Sequence, residues 1–204
     1  MSRYAPFVPR PPQEPPQEPP QEPRGVEARV RVAQPVDVTG IVAVAATRGV
    51  QPVDLPERVA RWVADDDRHV LVAVAAVPED PDDVARHPRD GVVAWAMVGR
   101  WTPDDAPHGH VVSALTVHPQ WWRRGLGTQL LSGLQQWTWE RADVLWSIVT
   151  ARNEVSLALH RRLGFVEAGR GPGFGGVAFD GGEGLLLRSP EPSGPRIRRI
   201  GVWE

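Results

Sequence analysis

The 204-residue chain has no cysteine and no lysine, and it holds only two methionines and one tyrosine. Without cysteine there can be no disulfide, no thiolate metal ligand and no cysteine nucleophile. A cysteine-free chain is compatible with a reducing cytoplasm, which is the expected location. All 23 basic side chains are arginine, and the formal charge is −2. No strong field therefore points to nucleic acid or to a membrane surface. Long apolar runs are also missing. The longest, residues 70–77, is strand-sized, too short for a membrane span and wrongly placed for a signal peptide.

The length fits one domain with tails. Residues 1–24 read as a tail, because residues 11–23 repeat Pro-Pro-Gln-Glu three times and end on a proline. Such a segment cannot form ladders or a core, and it is expected to be extended or disordered. Residues 25–189 are expected to be the domain, and 190–204 a basic tail containing Arg196, Arg198 and Arg199. Alternation and turn residues predict strands over 26–32, 70–77, 92–100, 111–117, 144–150, from 165 to 168, and over 185–188. A Gly-rich loop is expected over 169–184, and an acidic Pro-containing loop over 78–91. Helices are expected over 38–47, with Asp37 as N-cap, and from 55 to 64, with Pro56 in the first turn.

The stretch ALTVHPQWWRRGLGTQLLSGL, residues 114–134, organises the rest. Leu115, Thr116 and Val117 suit a strand, and Pro119 ends it. A loop of Arg123, Arg124, Gly125, Leu126, Gly127 and Thr128 then opens an apolar series at helical spacing: Leu126, Leu130, Leu131, Leu134, Trp137. The first N–H groups of a helix lack intrahelical partners, and the helix dipole is positive there. A glycine loop at that point is an anion site, to which two arginines add donors suited to phosphate. No third glycine and no Gly-Lys-Ser/Thr follows, so neither a Rossmann fingerprint nor a nucleotide P-loop is present.

A second stretch, VLWSIVTARNEVSLALHRRLGF over 144–165, follows downstream. Together the two stretches resemble the GNAT superfamily of acyl-CoA-dependent N-acyltransferases. Gly125 and Gly127 match the glycines of Gln/Arg-x-x-Gly-x-Gly/Ala, with Trp122 in the Gln/Arg place. Asn153, Gly164 and Phe165 match Asn-x-x-Ala-x-x-x-Tyr-x-x-x-Gly-Phe, with Ser156 for Ala and His160 for Tyr.

The resemblance implies a mixed α/β, three-layer fold with helices on both faces. Its central twisted sheet would be mostly antiparallel and splayed between the fourth and fifth strands. It implies acetyl-CoA as cosubstrate and no metal. The pyrophosphate would rest on the amides of residues 123–128, with Thr128 adding a hydroxyl. The pantetheine would pair with the strand edge at Thr116 and Val117 and with Asn153. The Val117 N–H would face the developing oxyanion. His160, at the position of the family's acid, is expected to protonate the leaving thiolate, since an imidazole of pKa ~6.5 can donate to a thiolate whose thiol has pKa ~8.5. The general base stays open among His108, His110, His118 and water.

The expected activity is direct transfer of an acetyl group to a primary amine of a small molecule. The alternatives are a protein or peptide N-acetyltransferase and a non-catalytic coenzyme A-binding module. Nine tryptophans could stack a planar acceptor or the adenine. Core and dimer packing is the preferred use, which leaves room for a homodimer.

Overall fold

The computed structural model describes residues 28–75, 91–141, 143–179 and 182–191. The two tails, apart from residues 190 and 191, and the acidic loop up to residue 90 lie outside the described residues, as do the ends of the strands expected at 26–32 and 70–77.

Seven strands form one sheet in the order β1-β2-β3-β4-β5-β9-β6. They are β1 (Ala28–Val32), β2 (His69–Ala75), β3 (Val92–Trp101), β4 (Gly109–Val117), β5 (Leu145–Thr150), β6 (Val166–Gly171) and β9 (Gly184–Arg188); the short β7 (Gly173–Phe174) and β8 (Val177–Ala178) pair separately. Neighbours are antiparallel except β4 and β5, which run parallel. Helices α1 (Val38–Ala46) and α2 (Leu55–Val63) cover one face. Helices α3 (Leu126–Trp139) and α4 (Glu154–Arg162) cover the other. The three-layer architecture expected from the resemblance is the one observed.

The strands in the middle explain why both faces are covered. Residues 92–98 of β3 are all buried, a near-continuous apolar run that suits a strand sandwiched between layers. On one side Leu126, Leu130, Leu131 and Leu134 of α3 are almost fully enclosed, each contributing roughly 1.5–3 kcal/mol by burial. Gly133 lets α3 come close, because a Cβ there would stand 2.7 Å from Leu71 Cδ1. On the other side Ile41, Val44, Leu55 and Val59 pack on Val70, Val72, Trp95 and Met97.

Two local expectations change. Asp37 does stand before α1, but its carboxylate makes no cap bond. It accepts from the Arg31 guanidinium at 2.6 and 2.8 Å and from the Gln34 N–H at 2.7 Å. Burial pushes its pKa up, and those bonds outweigh that and hold it below the ordinary value. The Gly-rich stretch after 168 is also not simply a loop. β6 runs on to Gly171, where Gly169, Arg170 and Gly171 pair with Leu186, Leu185 and Gly184. β6 is an edge strand and largely exposed, so backbone pairing holds it without an apolar alternation.

β4 and β5 are joined only at one end. His110 lies opposite Leu145 and Val111 opposite Trp146, and the pairing then stops. Two residues beyond Val111 the β3–β4 ladder is irregular. Met97 and Val98 are consecutive in β3 but face Ala114 and Val112 of β4, so Ser113 is an extra residue. Such a bulge bends and twists its strand. β4 turns away from β5 there, and a V-shaped gap opens towards Val117.

Candidate functional site

The open arm of β4 ends in a ladder that shows which amides face the gap. The His118 N–H donates to Val93 O at 2.8 Å, across β3. Backbone groups alternate sides along a strand. Thr116 therefore directs its N–H and C=O to β3, where it is paired with Trp95, while Leu115 and Val117 direct theirs into the gap. The edge expected at Thr116 and Val117 is thus formed by Leu115 and Val117. Thr116 offers only its side chain, on the α1/α2 face with Trp95. Counting by twos from Val117 would have found Leu115.

A 3-10 turn, Pro119–Trp121, leads from β4 into the glycine loop. Arg123 has φ +61°, a left-handed conformation unusual for a side-chain-bearing residue, and Gly125 has φ +77°. Alternation of left-handed residues with ordinary ones is how backbone amides are turned into an anion-binding nest. The first helical bond of α3 runs from the Gln129 N–H to Gly125 O, so the N–H groups of Leu126, Gly127 and Thr128 have no intrahelical acceptor. Arg124 lies over the ring of the buried Trp121, 4.5 Å from its centroid. Trp122, in the motif's Gln/Arg place, is half exposed and donates its indole N–H to Val117 O at 2.8 Å. It thereby ties the loop to the strand edge.

The two sequence stretches meet at Gly127. A Cβ there would lie 3.4 Å from Leu159 of α4 and 3.9 Å from Val117. Asn153 is the N-cap of α4, with its side-chain oxygen accepting from the Ser156 N–H at 3.1 Å. Its carboxamide N–H groups are what it can offer to a ligand.

His160 is enclosed, with 2% of its surface exposed. Its Nδ1 lies 2.7 Å from Ser156 O, and its ring meets Phe165 edge-on at 4.9 Å. A carbonyl only accepts, so Nδ1 carries the proton and Nε2 of the neutral ring is a lone pair. Burial lowers the pKa, against the raising effect of the Ser156 bond. The acid role expected for His160 needs the imidazolium, and burial disfavours that form. In the neutral ring Nε2 is an acceptor.

The candidate bases separate by position. His110 sits at the closed end of β4, where Nδ1 is 2.6 Å from Asp143 Oδ2. Seven residue steps along the strand, roughly 23 Å, part it from Val117. His108 is bonded to Pro103 O at the same end. Only His118 stands at the open end. A cavity of about 300 Å³ lies beside His110, between Asp66, Asp67, Arg100, Trp137, Arg141 and Asp143. It is remote from the glycine loop and has no part in the site assembled here. Among the described residues no three His, Cys, Asp or Glu side chains gather as metal ligands, and no helix is long and apolar enough to cross a membrane.

Comparison with known proteins gives this geometry a context. The family model for the acetyltransferase (GNAT) family matches residues 43–165. An L-methionine sulfoximine/L-methionine sulfone acetyltransferase of Pseudomonas aeruginosa is 30% identical over 162 residues, covering 74% of this chain and 87% of that protein. Among solved structures, a ribosomal-protein-alanine N-acetyltransferase from Brucella melitensis is 26% identical with a TM-score of 0.60, covering 79% of this chain and 98% of that one. A Salmonella typhimurium protein solved with its cofactor acetyl-CoA shares the fold at 21% identity and a TM-score of 0.60, covering 84% of this chain and 99% of that one.

Proposed function

From the premise that the chain belongs to the GNAT family and is an acyl-CoA-dependent acetyltransferase, we propose that it transfers an acetyl group from acetyl-CoA to the primary amine of a small molecule. The observation that carries the choice of acceptor is the relative acting on methionine sulfoximine and sulfone, which this chain matches over most of its length.

In this reading the amides of residues 123–128, with Arg123 and Arg124, hold the pyrophosphate. The gap-facing groups of Leu115 and Val117 and the amide of Asn153 hold the pantetheine. The Val117 N–H meets the charge that develops on the carbonyl oxygen as the amine attacks; a donor so placed typically contributes about 10²–10³ in rate. With no cysteine to carry the acetyl group, the transfer is direct. One proton leaves the attacking nitrogen and one is taken up by the departing sulfur, so the two balance. His160 contributes an acceptor and a packed ring rather than the proton.

A second reading, acetylation of a peptide N-terminus, is favoured by the likeness to the Brucella enzyme. Thiol release from acetyl-CoA separates the readings, with L-methionine sulfone, L-methionine and an N-terminal alanine peptide as acceptors. The proposal expects release with the amino acids and little with the peptide. Release with the peptide alone would overturn it, and acetyl-CoA binding without release to any amine would point to a non-catalytic module. His160→Ala should lower turnover by less than the ~10²–10⁴-fold of a positioned acid. A loss in that range, with acetyl-CoA affinity kept and a rate that falls as pH rises, would restore the acid role.

A further inference from the structure

Two buried side-chain polar atoms among the described residues have no hydrogen-bond partner: His160 Nε2 and Trp95 Nε1. The second belongs to no part of the machinery above. Trp95 is 4% exposed and lies in β3 opposite Thr116 of β4. Facing residues on antiparallel strands project to the same side with their Cβ atoms about 5 Å apart. The indole is therefore beside the last stretch of β4 before the gap, on the α1/α2 face, away from the glycine loop and α3. With the cofactor on the glycine loop and α3, as proposed above, that face is the one left for an amine to approach the strand edge.

An indole nitrogen is a donor only. Leaving one buried and unpaired costs about what a lost hydrogen bond costs, and such groups are rare in native proteins. The hydrophobic residues clustered with Trp95 include Ile41, Val44, Leu55, Val59, Val92 and Met97, and the buried Thr116 opposite it makes no bond to the indole. Among the described residues no oxygen answers the N–H, although phenylalanine would fill most of the volume with no donor to satisfy. Trp62 of α2 stacks on Trp95 with centroids 6.5 Å apart and planes 17° apart, and Arg58 stands over Trp62 at 5.2 Å. The column places a neutral donor deepest and a cation outermost.

Resting on the small-molecule reading above, we infer that Trp95 is a specificity residue: its indole N–H takes an oxygen of the amine substrate, a carboxylate or an oxygen on the substrate's side chain. Trp62 is only partly buried, and it is the side chain that turns to admit that oxygen. The rows of β3 and β4 then fix the distance between the recognised oxygen and the amine that attacks the acetyl carbonyl held at Val117. Substrates without an oxygen acceptor leave the donor unpaired and are discriminated against for that reason.

The test compares wild type with Trp95→Phe, which keeps a ring and removes the N–H. With L-methionine sulfone as probe, KM should rise about 2- to 10-fold if a neutral oxygen is the acceptor and about 10- to 100-fold if the carboxylate is. Turnover at saturation and acetyl-CoA affinity should change little, and the melting temperature should hold or rise. L-methionine, which keeps the carboxylate and lacks the sulfone oxygens, separates the two sources. An equal KM rise for both probes assigns the carboxylate, and a rise for the sulfone alone assigns the side chain. Unchanged KM for both, with a higher melting temperature, would overturn the inference and leave the N–H as an unpaired core donor. The indole N–H resonance of Trp95, identified by its loss in Trp95→Phe, is read in parallel while L-methionine sulfone is added to protein loaded with coenzyme A. Wild type that releases no thiol with either amino acid defeats the small-molecule reading. A Trp95 resonance that the sulfone leaves unmoved defeats the inference separately.

Discussion

The two ends of the seam between β4 and β5 are built from the same strands and do opposite things. At the closed end the strands pair through His110 with Leu145 and Val111 with Trp146, and the His110–Asp143 contact clasps them at 2.6 Å. His69 and Arg141 lie at 4.9 and 3.6 Å from the Trp137 ring, with His110 edge-on at 5.2 Å. At the open end the backbone groups of Leu115 and Val117 have no strand beside them. Arg123 takes a conformation few arginines adopt, and α3 begins with amides that no helical carbonyl accepts from. The bulge at Ser113 divides the two. One end satisfies its polar groups internally and supplies rigidity; the other, apart from Val117 O, which the Trp122 indole takes, leaves them for a ligand that carries phosphates and amides of its own. Ligand chemistry follows unsatisfied backbone, while at the cavity beside His110 the His110–Asp143 pair and the Arg141 contact with Trp137 are made within the protein.

Damage at the two ends should therefore be read by different instruments. The largest expected effect is at the open end. Gly125→Glu puts a carboxylate where the phosphates would lie, and like charges so placed cost several kcal/mol. Acetyl-CoA affinity should fall by at least about 100-fold in calorimetry. The melting temperature should drop only by what a side chain at positive φ costs, roughly 1–2 kcal/mol; no atom stands within 4 Å of the new Cβ. Unchanged affinity would move the phosphate site elsewhere. At the closed end Asp143→Ala removes the clasp. Stability should fall by about 1–3 kcal/mol, measured by denaturant unfolding, with acetyl-CoA affinity held within about twofold, as expected for distant independent sites. If affinity fell with stability, the ends would not be separable.

How far the residues announced this differs between the ends. The glycine loop and α3 were legible because a helix repeats every few residues, and Leu126, Leu130, Leu131 and Leu134 stand at that spacing. The V-shaped gap came from the family resemblance; the Ser113 bulge behind it has no glycine or proline to mark it. The clasp joins residues 33 apart, beyond any local pattern. β6 escaped in part because an exposed edge strand of glycine and charge shows no alternation. His160 is found by position, but burial, which disfavours its charged form, and the Ser156 carbonyl, which holds the proton at Nδ1, are not revealed by any side-chain pattern. In the sequence Trp95 is simply part of a strand, since a sequence cannot show that a donor lacks an acceptor.

The most direct test of the account follows backbone amide resonances while acetyl-CoA is added to the full chain. Shifts should concentrate at Leu115, Val117 and residues 123–128, with smaller ones at Asn153, and should leave His110, Val111, Leu145 and Trp146 where they are. Shifts centred on Asp66, Arg100 and Arg141, with the glycine loop silent, would contradict it.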